Sequence, residues 1–238
     1  MRIHEVFPLV SVVVLCAAAC TPTESSESAA TFSYDESVLS EITPWTSADF
    51  QNDPDQFQFV IIGDRTGGAN AQGTFGLAVD QLNLLQPEFV INVGDVIEGY
   101  SDDAAALHAE WDEFDRMLEP LRMPFFRTPG NHDIANETAA DVWRERHGAT
   151  YYHFVYKDVL FLVLNSEDTP RPAPEGIKEK LELYNRLQVE DPARAQEMLA
   201  EFMADSAVVM GLSQPVDFSE EQVAFVAAAL EQNADVRW

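Results

Sequence analysis

Three short apolar runs set the frame of this chain. They are Phe57-Gln58-Phe59-Val60-Ile61-Ile62, Glu88-Phe89-Val90-Ile91-Asn92-Val93 and Pro124-Phe125-Phe126, and each is followed within four residues by a glycine. Aromatic and β-branched runs of this length, bounded by glycine and proline, predict buried strands. Helical spacing fills the gaps between them. Val79, Leu82 and Leu85 recur until Pro87, and Leu107, Trp111, Phe114, Leu118 and Leu121 form a second amphipathic stripe. Strands alternating with helices predict an α/β fold with a parallel sheet.

Past the third run, Asn136 is placed to cap a helix reaching His147, with Gly148 at its stop. Tyr151 to Tyr156 and Val159 to Asn165, joined by Lys157-Asp158, read as a hairpin. Glu167 to Pro215 changes character. Pro170, Pro172 and Pro174 open it, and charged helical stretches follow around Ile177 to Leu187 and Pro192 to Met203. We read 166–218 as a helical insertion, either a surface excursion or a lid near a site. Ser219-Glu220-Glu221-Gln222 predicts a capping box, stapled by Phe218 and Val223, for a helix ending near Asn233. Asp235 to Trp238 looks like the start of another strand. Phe32 to Asp55 is irregular, with Trp45 and Phe50 expected to pack on the domain edge.

Composition narrows the class. Of 238 residues, 46% are hydrophobic, enough for one domain with its own core. The 41 acidic against 14 basic side chains give a net charge of -27, which argues against nucleic-acid partners and against docking on anionic lipid. An anionic substrate would be repelled at long range, so a phosphate-handling site would need a local cation. Both cysteines, Cys16 and Cys20, lie in an N-terminal apolar stretch, so the domain has neither disulfide nor thiolate site. That stretch is short for a membrane span and reads as an export signal over 1–19. Ala17-Ala18-Ala19 before Cys20 resembles a lipoprotein signal with Cys20 lipidated. Ordinary secretory cleavage near Ala19 and a retained anchor are the other readings. Residues 20–31 read as a flexible tether to a domain over 32–238.

Each apolar run ends in Gly-Asp or Gly-Asn: Gly63-Asp64, Gly94-Asp95 and Gly130-Asn131-His132-Asp133. In an open parallel sheet, ligands sit beyond the carboxyl ends of the strands, so Asp64, Asp95, Asn131 and His132 are expected around one point. Oxygen donors with one imidazole suit divalent cations and phosphate chemistry. The loop Gly67 to Gly76 lacks the Lys-Ser/Thr ending of a P-loop and reads as flexible.

In order and setting, Gly63-Asp64-Arg65-Thr66, Gly94-Asp95 and Gly130-Asn131-His132-Asp133 resemble the first three motifs of the calcineurin-like metallophosphoesterases. The Gly-Asp-Arg-Thr-Gly-Gly opening is similar to that of an exported bacterial subgroup. The resemblance implies a β-sandwich flanked by helices and a site with two divalent metal ions, manganese, iron or zinc. It implies that Asp64 holds one metal, that Asp95 bridges both and that Asn131 binds the second. It also implies that His132 contacts the phosphate and protonates the leaving oxygen, with Asp133 orienting its ring. Arg65 would grip a phosphate oxygen or pair with an acid. A phosphorylated small molecule or ester would be the substrate, and the membrane would be reached only through lipid on Cys20.

Two departures go with it. Thr66 stands where many members have histidine, and the family's later histidines are absent; His147 and His153 read as structural. Catalytic metals take about three protein ligands each, so the C-terminal part of the sandwich is expected to be missing and this chain alone to be poorly active or inactive. The competing readings are a non-catalytic exported binding module with a degenerate site, and a nucleotide-binding α/β domain.

Overall fold

The computed structural model describes residues 32–37, 42–50, 57–66, 73–168, 176–205 and 218–237, all within the unit Thr31–Trp238. The leader with Cys16 and Cys20, the tether and residues 67–72 of the glycine-rich loop lie outside the described residues. No helix among the described residues is long and apolar enough to cross a membrane.

The three apolar runs form a parallel sheet, β2 (Phe59–Ile62), β3 (Phe89–Asn92) and β4 (Phe125–Phe126), in the order β2-β3-β4. All of β3 is buried, as a strand covered on both faces must be. The crossovers are α1 (Thr74–Leu85) and α2 (Ala104–Leu118). Phe75, Val79 and Leu82 of α1 and Leu107, Trp111, Phe114 and Leu118 of α2 form a core with α3 (Glu137–His147) against one sheet face. The phase of α1 set by Phe75, Val79 and Leu82 turns Leu85 to solvent, which corrects its expected place in the stripe. Asn136 caps α3 by accepting from Ala139 N at 2.8 Å, as its position foretold.

A second, antiparallel sheet covers the other face: β1 (Phe32–Tyr34), β5 (Tyr152–Tyr156) and β6 (Val159–Val163), in the order β1-β5-β6. Lys157 and Asp158 take the left-handed conformation between β5 and β6, a primed two-residue turn whose twist suits a hairpin. Strand β1 falls in a segment expected to be irregular. Three residues carry no readable period, and pairing with β5 makes them a strand. Phe89, Phe126, Phe154 and Phe161 meet between the sheets, with Trp45 beside them.

On the outer side of this second sheet lies α6 (Glu220–Gln232), where Phe225 packs on Tyr151 and His153. The described residues thus layer as helices, sheet, sheet, helix, the flanked sandwich that the sequence motifs implied. Ser219 Oγ accepts from Gln222 N, but the reciprocal half of the capping box does not form. Asp168 accepts from Ser219 N instead, while the Gln222 amide pairs with the Asn165 backbone in both directions. Residues 233–236 turn rather than begin a strand, and Arg237 N bonds Asp158 O at 2.9 Å. The charged segment forms α4 (Ile177–Glu190) and α5 (Pro192–Ala204), close to the expected stretches.

Candidate metal centre at the rim of the parallel sheet

Strands β2, β3 and β4 run the same way, so Asp64, Asp95 and Asn131 leave from one rim. Beyond the two residues of β4, the Asn92 side chain carries on the ladder. Its amide nitrogen reaches Thr128 O at 3.2 Å and its oxygen takes Thr128 N at 2.9 Å.

Asp95 is the hub. It sits in the left-handed region with φ 58°, a conformation that costs a side-chain-bearing residue about 1–2 kcal/mol. Two neighbouring loops over-determine it. Its carbonyl accepts Arg65 N and Thr66 N at 2.9 and 3.2 Å, its own N–H goes to Asp133, and its Oδ1 accepts His132 N at 3.0 Å. Burial pushes the Asp95 pKa up, and the Asp64 charge pushes the same way, while the His132 amide and charge oppose. Two carboxylates held close enough to repel are a pair that a cation would relieve.

Asp133 does not orient the imidazole, which corrects the role implied for it. Its buried carboxylate accepts backbone N–H groups of Asp95 (2.7 Å), Val96 (3.0 Å), Ile97 (3.3 Å) and Gly130 (2.8 Å), pinning the β3 loop to the β4 loop. Burial raises its pKa to about 7 against those amides, which favour the charged form. The His132 ring is held by Glu98: Nδ1 lies 2.7 Å from the Glu98 carbonyl oxygen. A carbonyl only accepts, so Nδ1 carries a hydrogen and Nε2 is the nitrogen left for proton exchange.

Arg65 is not placed to grip a phosphate, and of the two readings the ion pair is the one observed. Only 4% exposed, it donates to Val96 O at 2.8 Å and to Glu113 at 2.5 Å, and lies over the Phe114 ring. Other acids near the motifs are likewise committed to structure. Asp103 caps α2 and Asp102 accepts from Asn136. His147 packs between Trp111 and Trp143 in the core.

Residues that the motif reading missed lie just after Asp95. Glu110 of α2 accepts Gly99 N at 2.8 Å, and burial raises its pKa. Tyr100 places its hydroxyl 2.6 Å from Asn131 Nδ2 and its ring edge-on to His132, centroids 4.8 Å apart. A Cβ on Gly99 would fall 1.9 Å from the His132 carbonyl oxygen, and its φ of 63° is left-handed. That glycine, directly before an aromatic and five residues from the Gly-Asp pair, was the available signal. Asn185 of α4 donates to Glu98 Oε2 at 3.0 Å, so the helical segment touches the same loop.

Asp64, Asp95 and the Asn131 amide are hard oxygen donors and fit a divalent cation. Among the described residues no three His, Cys, Asp or Glu side chains group for a metal; the Asn131 amide oxygen is a further donor of another kind.

Residues 57–224 match the family model described as calcineurin-like phosphoesterase. No curated protein and no solved structure matches the chain.

Proposed function

This chain belongs to the calcineurin-like phosphoesterase family, and from that premise we propose that it is an exported, metal-dependent phosphoesterase whose site is the rim of the parallel sheet. Asp64, Asp95 and the Asn131 amide oxygen would hold the divalent metal, and Asp95 is the ligand that two such ions would share. Bound there, such ions lower the negative charge on phosphoryl oxygens and activate an attacking water.

The chain's own residues do the rest. His132, fixed through Nδ1 to Glu98, gives a proton from Nε2 to the leaving oxygen. Asp133 acts at one remove, by holding the Asp95 and Gly130 backbones. The substrate is a phosphorylated small molecule or ester. With a net charge of -27 on the protein, the cation is what offsets repulsion of that anion. Lipid on Cys20 would keep the protein at the cell envelope, and fatty-acid labelling lost in Cys20→Ser tests that anchor.

The interlocking of the three motif loops on Asp95 carries this reading. Its test is hydrolysis of p-nitrophenyl phosphate and of bis(p-nitrophenyl) phosphate with added Mn2+. Slow turnover that is lost in Asp95→Asn is the expected result. Thr66 at the place of a nitrogen ligand favours a second reading, a non-catalytic exported binding module. Neither Mn2+ binding nor turnover would select it.

A further inference from the structure

Asparagine is an ambiguous metal ligand. Its amide presents an oxygen that coordinates and a nitrogen that only donates, and a half-turn about the last side-chain bond exchanges them. Something must choose, and on the exposed Asn131 no backbone ladder does so. The contact recorded for its amide nitrogen is the Tyr100 hydroxyl at 2.6 Å.

We propose that Tyr100 is a positioning residue that sets the Asn131 amide with its oxygen toward the metal site, and that it acts by accepting from Nδ2. This deepens the reading above and rests on it.

An amide nitrogen only donates, so the bond from Asn131 Nδ2 uses a lone pair of the Tyr100 hydroxyl oxygen. The reverse pairing, hydroxyl donating to Oδ1, would turn Nδ2 toward the site, where a cation repels it.

Tyr100 is also held in place at a cost that packing alone would not require. It has φ 51°, left-handed, directly after Gly99 in the same region. Two consecutive residues of this kind fold the backbone back under residues 131 and 132. Glu110 secures the bend through Gly99 N, and the Tyr100 and His132 rings pack at a steep angle to each other. Strain of this kind persists where several contacts impose it, and it clusters at functional positions.

Calorimetric titration of the full chain with Mn2+ alone tests this in four proteins: wild type, Tyr100→Phe, Asn131→Asp and the double variant. Phenylalanine keeps the ring against His132 and removes only the oxygen. Loss of a ligand's outer partner weakens metal binding by about 10- to 100-fold, and that is the expected effect of Tyr100→Phe. Aspartate presents oxygen whichever way it turns, so in the Asn131→Asp background the same change should cost less than about 3-fold. Equal losses in both backgrounds would mean that Tyr100 serves the fold rather than the amide, and would overturn the inference. Unchanged affinity in Tyr100→Phe would overturn it too, while leaving the phosphoesterase reading intact. No Mn2+ binding by wild type would instead bring down that reading, and this inference with it.

Discussion

The loops at the rim of the parallel sheet and the helix pair α4–α5 are built on opposite terms. At the rim, polar groups are buried and strained: Asp133 and Arg65 are enclosed, and Asp95, Gly99 and Tyr100 are left-handed. Helix α4 buries no residue and α5 buries only Ala195. The pair is held by local devices, such as Asp191 capping α5 and Arg194 reaching Glu197 and Glu201 on the exposed surface. Strained, buried backbone survives only where neighbouring elements impose it from several sides. Helices with exposed flanks need no such agreement, so a change there stays local.

Two glycines separate space from strain. Gly99 and Gly176, which precedes α4, have nearly the same left-handed φ, 63° and 68°. An alanine Cβ at Gly99 would meet the His132 carbonyl at 1.9 Å, whereas at Gly176 the nearest atom is Glu179 Oε2 at 3.8 Å. Gly99→Ala should therefore cost about 2–5 kcal/mol, from backbone strain plus overpacking. Gly176→Ala should cost the strain alone, about 1–2 kcal/mol. Urea midpoints decide, and equal shifts would break the contrast between the two regions.

Removing a charge should show the same asymmetry. Asp133→Ala strands four backbone N–H groups in the interior, and a loss of about 2–3 kcal/mol is expected. Arg194→Ala, which breaks pairs only on the exposed face of α5, should leave the urea midpoint where it is.

Beneath the rim, His147 gives the comparison a pH signature. Burial, with Arg127 and Arg146 adding to it, pushes its pKa down to about 2 from 6.5. The folded pKa is depressed, so the unfolded chain takes up the proton first as pH falls. Stability contributed by the neutral ring is present above pH 6.5 and is lost as pH drops toward 2. The slope for one such group is about 1.4 kcal/mol per pH unit. His147→Phe keeps an aromatic between Trp111 and Trp143 and should flatten the acid limb between pH 6 and 4 by about that slope. An unchanged limb would place the acid sensitivity elsewhere.

Period and punctuation made much of the frame legible. The stripe from Leu107 to Leu118, the Asn136 cap and the Lys157-Asp158 turn each follow from a local rule, and each is found where the rule puts it. Strand β1 was not legible, because the strand it pairs with, β5, is more than a hundred residues further along the chain. At the rim, the Gly-Asp and Gly-Asn pairs disclosed which loops meet, since strand direction fixes that. They could not disclose what each side chain does there. Arg65 turns inward to Glu113, and Asp133 serves amides rather than an imidazole, because hydrogen-bond choice in a buried loop depends on groups far apart in sequence. Tyr100 was missed for the same reason: its partner Asn131 is 31 residues on.

A small, local effect is expected at the seam between the regions. Asn185 of α4 donates to Glu98 Oε2, and the carbonyl of that same Glu98 holds His132 Nδ1. One residue thus touches the helix pair with its side chain and the site with its backbone. The two bonds differ in what supports them. The Glu98 loop is secured independently by Glu110 on Gly99 N and by the Tyr100 and His132 rings, whereas α4 buries no side chain of its own. Asn185→Ala should therefore loosen the helix and leave the loop alone. Global stability should change by less than about 1 kcal/mol. Amide exchange across 177–190 should quicken by roughly 3- to 10-fold, because opening a surface element costs little beyond its few tertiary bonds. The His132 ring resonances should not move. If they do, the helix pair communicates with the site through Glu98, and the separation between a rim fixed by many partners and helices fixed by few would no longer describe this molecule.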